Sequence, residues 1–218
     1  MLKLPKTTEV NKRIPKQKFY ENLQLTTALK KCFVEQIRSI YWQNKIAPGT
    51  INLDAGETVT ELEVFSILLN DGKLDEAVLK QIDREIPYHI LYLLEYEDQV
   101  QAWIGYKEAS QSDATAFKVS KYYHTEWMPA DDLPLKLEGL TTDAVYESFV
   151  RQIAGSLLNG EEASDLGMAV INSERKARLE KEIAKLEKQA WIEKQPKRKL
   201  ELLTRISTLR KDFDGIGN

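Results

Sequence analysis

Four ionisable side chains fall where strands are expected. Brought together, they could bind a divalent metal and cut a phosphodiester. Glu61 and Glu63 lie two apart on one strand face, and Glu95 and Lys107 lie on the next hairpin. Two-metal hydrolysis needs several carboxylates around ions ~4 Å apart. A restriction-type nuclease core also places a lysine two residues after an acid. Here Gly105 stands two residues before Lys107, so the acid-x-Lys pair is missing. Surface charge on a sheet is the competing reading.

Other reactive groups are few. His89 and His124 are the only histidines, and each could act as acid or base near neutral pH. A hydrogen-bonded structural role is the favoured reading for both. Two histidines do not make a zinc site without carboxylate help, and the single cysteine, Cys32, allows neither an intramolecular disulfide nor a cysteine cluster. Cys32 sits beside Phe33 on an apolar helix face, which predicts an inert thiol. No glycine stands in a phosphate-loop context, so a nucleotide-driven step would belong to a partner. No metal and no cofactor is expected.

Charge is distributed unevenly. The net charge is −3 over 218 residues. Residues 1–18 carry six cations against Glu9 alone, and residues 172–213 carry thirteen Lys/Arg against seven Asp/Glu, leaving residues 19–171 at −13. Such fields steer partners rather than set folds. Lys12, Arg13, Lys16 and Lys18, followed by Tyr20, are the candidates for contact with nucleic acid or another polyanion. A solvated segment wrapping the acidic middle would explain them equally.

These residues must be positioned by regular elements. Pro5 and Pro15 and a polar composition predict a basic arm over residues 1–18. A helix is expected over 22–42, with Leu25, Leu29, Phe33, Ile37 and Ile40 at helical spacing, ending before Pro48-Gly49. A central strand over 59–69 is followed by a turn at Asn70-Asp71-Gly72 and a short helix over 74–85. Strands over 88–96 and 100–107 form a hairpin around Glu97-Asp98-Gln99. A polar loop over 108–115, a strand over 116–124, a loop over 129–140 and a helix over 141–158 complete the globular domain, residues 19–160. The fold class expected is α+β, a mostly antiparallel sheet with flanking helices.

The tail carries the sharpest periodicity. Leu179, Ile183, Leu186 and Ala190 are spaced 4-3-4, as are Leu202, Ile206, Leu209 and Phe213 after Pro196. This is the seam of a two-armed antiparallel helical hairpin, a short coiled coil over 172–213. Arms this short are marginal alone. They pack on each other or present an assembly surface, for self-association or for a partner. No apolar run approaches the ~20 residues of a membrane span, and no secretory signal is evident, so a cytoplasmic location is expected.

Several strings occur together: Ile14-Pro15-Lys16-Gln17-Lys18-Phe19-Tyr20, Ile40-Tyr41-Trp42, Asn44-Lys45-Ile46-Ala47-Pro48-Gly49-Thr50, Ile82-Asp83-Arg84-Glu85-Ile86-Pro87-Tyr88-His89 and Gln101-Ala102-Trp103-Ile104-Gly105-Tyr106-Lys107. In combination, over about residues 10–210, they resemble the bacterial family catalogued as domain of unknown function 4391. The resemblance implies gene neighbourhoods holding helicases and restriction-modification-like methyltransferases, hence a role in defence against foreign DNA. It supplies no catalytic residue. The function expected is a non-enzymatic accessory or adaptor protein of an anti-phage system, its body docking a helicase or methyltransferase and its hairpin and basic arm contacting a partner or DNA. A metal-dependent nuclease and a homo-oligomeric scaffold are the alternatives.

Overall fold

The computed structural model describes residues 2–20, 25–109, 117–158 and 165–216. They divide into two compact units, Met1–Ala154 and Gly155–Asn218. The first unit holds seven strands, β1 (Glu9–Ile14), β2 (Ile37–Ile46), β3 (Leu62–Leu69), β4 (His89–Tyr96), β5 (Gln99–Ala109), β6 (Phe117–His124) and β7 (Met128–Pro129). Its helices are α1 (Thr27–Glu35), α2 (Glu76–Glu85) and α3 (Thr142–Ala154). The second unit holds α4 (Leu166–Ile192) and α5 (Pro196–Asp214).

The sheet runs in the order β1-β2-β3-β4-β5-β6, with β7 added to β5. All neighbours pair antiparallel except β3 and β4, which are parallel and linked through α2. β3 is buried at nearly every position, as a central strand covered on both faces must be. Side chains alternate across the sheet. Ile90, Tyr92 and Leu94 of β4 join Phe65, Ile67, Phe33, Val78, Leu79 and Ile82 in a core beneath α1 and α2. His89 faces the other way, and its ring meets that of Tyr146 on α3 at 4.4 Å. α3 therefore covers the opposite face.

Two expectations are corrected. The helix predicted to reach Trp42 ends at Glu35, and Ile37–Ile46 is a strand; its predicted start at Asn22 lies outside the described residues. The run Ile-Tyr-Trp and the isoleucines favour a pleated surface. A register irregularity between Ile37 and Ser39 puts Ile37 and Ile40, three apart, both into the core. A β-bulge thus mimics helical spacing.

The predicted arm is also largely regular. Lys6–Thr8 forms a 3-10 turn, Glu9–Ile14 pairs with β2 as an edge strand, and Lys16–Phe19 forms a second 3-10 turn. Exposed charges on an edge strand hide its alternation and blunt its pairing edge. The loop predicted over 108–115 starts later, because β5 runs on to Ala109; residues 110–115 and the predicted strand's first residue, 116, lie outside the described residues.

α4 and α5 are joined by only three residues, and the seam forms as expected. Leu186, Ala190 and Ile206 make its small core, with Ile183, Leu202 and Leu209 packed against it. Leu179 and Phe213, at the outer ends, are half-buried. Two ion pairs cross between the helices, Arg205 to Glu182 at 2.6 Å and Arg210 to Glu187 at 2.7 Å. No helix among the described residues is long and apolar enough to cross a membrane.

Candidate functional site

The four nuclease candidates do not gather. In the β3–β4 register Glu63 lies beside Ile90. Glu95 is five residues further along β4, ~16 Å at strand rise, and on the opposite face. There it accepts a hydrogen bond from Ser66 at 2.5 Å. Lys107 is 2% exposed and ion-paired to Asp83 of α2 at 2.8 Å, and its Nζ also donates to the carbonyl of Tyr88. The Tyr122 hydroxyl donates to the other Asp83 oxygen. Lys107 therefore ties α2 to β5 and the start of β4. Among the described residues no three His, Cys, Asp or Glu side chains are placed to hold a metal ion.

Glu61 and Glu63 do stay close. Glu61 is ion-paired to Lys45 of β2. Glu63 is buried, and its Oε2 has no hydrogen-bond partner. Burial, then the negative field of Glu61, push the Glu63 carboxyl up to about 7, against the opposing influence of Trp42 and Lys45. A proton on Glu63 removes the conflict between two adjacent carboxyls.

The histidines are structural in different ways. Burial, helped by the charge of Lys107 and opposed by Asp143, drives His89 down to about 3. It is therefore neutral at physiological pH, in keeping with the structural reading. His124 is exposed and stacks on Trp103 at 4.4 Å. Cys32 is half-buried against the α1/α2 core.

The basic candidates separate into two kinds. Lys12, Arg13 and Lys18 are exposed. Lys16 instead donates to the carbonyls of Val34 at 3.0 Å and Ile37 at 2.6 Å, where α1 ends. A cation there satisfies carbonyls the helix leaves open. Tyr20 is buried against Phe33, ring centroids 5.8 Å apart. Lys16 is half-buried with two N–H groups engaged and Tyr20 is buried, so Lys12, Arg13 and Lys18 are the fully exposed members of the set.

Sequence reasoning passed over two features. Asp143, in the first turn of α3, accepts hydrogen bonds from the backbone of Val59 at 2.6 Å and Glu57 at 2.7 Å and anchors the segment before β3. Burial alone would raise its pKa, but these bonds prevail and hold it below the usual range. A side chain at Gly56 would collide with that carboxylate.

The second feature is at the turn of the α4–α5 hairpin. Trp191 is 86% exposed, Ile192 73% and Leu200 67%. A groove of about 480 Å³ runs beside them, lined by Ala190, Trp191, Leu203 and Ile206 with Lys199, Arg210 and Asp214 among its polar walls. The signal in the sequence was a tryptophan one residue outside the seam, among lysines.

The profile of the family described as Domain of unknown function (DUF4391) matches residues 2–213. No curated protein and no solved structure matches the chain. With most of both units inside the matched span, the chain belongs to the family of domain of unknown function 4391.

Proposed function

We propose that this chain is a non-enzymatic accessory subunit, an adaptor, of a bacterial anti-phage, restriction-modification-like system, working in the cytoplasm with a larger helicase or DNA methyltransferase. Defence and the partner class rest on the family's implied gene neighbourhoods. The observation that carries the adaptor reading is the groove on the hairpin. Leu203 is 48% exposed in it, flanked by Trp191 and underlain by Ile206. Two helices with so small a shared core gain by burying this stripe against a third element. The reactive side chains of the first unit, by contrast, are spent on its own architecture. Lys107 is ion-paired to Asp83, Tyr122 donates to Asp83, and Glu95 stands apart from Glu61 and Glu63.

The test is affinity purification of the tagged full chain from its native host, comparing wild type with Leu203→Glu. A helicase or methyltransferase retained by wild type and lost with the variant supports the reading. Its absence from the wild-type eluate, or equal retention by both, overturns it.

A homo-oligomeric scaffold is the second reading, favoured by one observation. The groove exposes Leu203 beside Trp191 on one face of the hairpin. Two copies laid face to face would bury this stripe of each against the other. A solution mass equal to one chain at micromolar concentration would exclude it.

A further inference from the structure

The geometry points to the turn of the α4–α5 hairpin as a binding site for single-stranded nucleic acid, with Trp191 as its stacking platform. The site goes beyond the adaptor reading and stands or falls apart from it. Trp191 closes the last turn of α4 with its indole 86% exposed. An indole so exposed offers an aromatic surface on which a planar ligand can stack. Its neighbours in sequence are cationic. Residues 188–199 contain Lys188, Lys194, Lys197, Arg198 and Lys199 against a single carboxylate, Glu193.

All five cations are exposed, and none forms an ion pair with a described residue. Three arginines elsewhere on the hairpin are ion-paired, Arg205 with Glu182, Arg210 with Glu187 and Arg178 with Glu174. At the turn, five cations without an ion pair lie close in sequence to the exposed ring. Glu193, the single carboxylate there, accepts a hydrogen bond from the backbone of Gln195, and the segment keeps a net positive charge.

A polyanion complements this charge, and the exposed ring selects among polyanions. A duplex hides its base faces in the stack. An unpaired strand offers one to the indole while its phosphates reach the lysines on either side. An acidic protein surface would complement the cations but leave a bare aromatic face without a planar partner. Every base has a π-face, so sequence preference is expected to be weak.

The test uses the full chain and a labelled 20-nucleotide oligothymidine, read by fluorescence anisotropy over a range of salt. Binding is expected, with log K falling against log salt at a slope of about −3, the value for roughly four phosphates neutralised on a single strand. Trp191→Ala is expected to weaken binding roughly tenfold by removing one stacked base. The triple variant Lys197→Glu, Arg198→Glu, Lys199→Glu is expected to flatten the salt dependence. Trp191 is outside the hairpin core, so retained helicity by circular dichroism will accompany the loss. No binding by wild type, binding untouched by both variants, preference for a duplex of the same length, or binding only to vesicles containing phosphatidylserine would each overturn the assignment.

Discussion

Lys107 Nζ lies 2.8 Å from Asp83 Oδ1, with both side chains 2% exposed, so a complete ion pair is enclosed between the sheet and α2. Its partners are further polar groups, the Tyr88 carbonyl and the Tyr122 hydroxyl. Burial, then the negative field of Asp83, push the Tyr122 phenol far above its ordinary pKa, so it stays a donor. Removing one member of such a pair strands the other charge. Lys107→Met and Asp83→Asn are each expected to cost about 3–5 kcal/mol in urea denaturation. The double variant Asp83→Leu, Lys107→Met should cost less than the sum of the singles. Additive losses would show that the two side chains do not depend on each other.

Glu63 gives the fold a pH dependence of unusual sign. Its carboxyl is raised in the folded state from about 4.5 to about 7. The folded chain therefore binds a proton more tightly than the unfolded chain does. This contribution is fully present below about pH 4.5 and is lost as pH rises through about 7. Glu61 and Lys45 are the charged groups beside it. Glu63→Gln is expected to remove this slope and raise stability at pH 8 relative to wild type. Thermal denaturation at pH 5, 6.5 and 8 reads the difference. Parallel profiles for the two proteins would contradict it.

Asp143 acts in the opposite direction. Its depressed pKa means that its contribution is present above the ordinary carboxylate range and is lost as pH falls through the folded value. Asp143→Ala leaves the N–H groups of Val59 and Glu57 without their acceptor. The expected loss is about 2–3 kcal/mol, since bonds to a charged acceptor are the stronger kind. Amide exchange at Glu57–Val59 should quicken in the variant. Unchanged exchange there would show that the segment does not depend on Asp143.

Lys16 separates structural cations from free ones at the N-terminus. Lys16→Met removes two hydrogen bonds, one to Val34 in the last turn of α1 and one to Ile37 at the start of β2, and should destabilise by about 1–2 kcal/mol. Lys12→Glu, Arg13→Glu and Lys18→Glu change exposed positions and should stay within about 0.5 kcal/mol of wild type. Equal effects at all four positions would contradict the difference in placement.

What the sequence disclosed depended on how local the signal was. The hairpin seam was legible because Leu186, Ala190, Ile206 and their neighbours repeat at fixed spacing on two adjacent helices. The strands from β3 to β6 were legible from apolar runs and turns. β2 was misread because a bulge gives Ile37 and Ile40 the spacing of a helix face. β1 was missed because an edge strand of Asn, Lys and Arg lacks apolar alternation. Tyr20 and Lys16 read as a binding pair because composition does not show that Phe33 and the end of α1 would claim them. The Asp83–Lys107 pair joins residues 24 positions apart, and no local pattern announces it. Trp191 was visible as a residue, but its exposure is a property of the turn that follows.

The central claim is that partners are met through the hairpin rather than the sheet edge. Site-specific photo-cross-linking in the native host tests it most directly, with the photoreactive side chain placed at position 203 in one strain and at position 13 in another. A covalent adduct with a helicase or methyltransferase subunit is expected from position 203 and not from position 13. An adduct with such a subunit from position 13 alone, or from neither position, would contradict the claim.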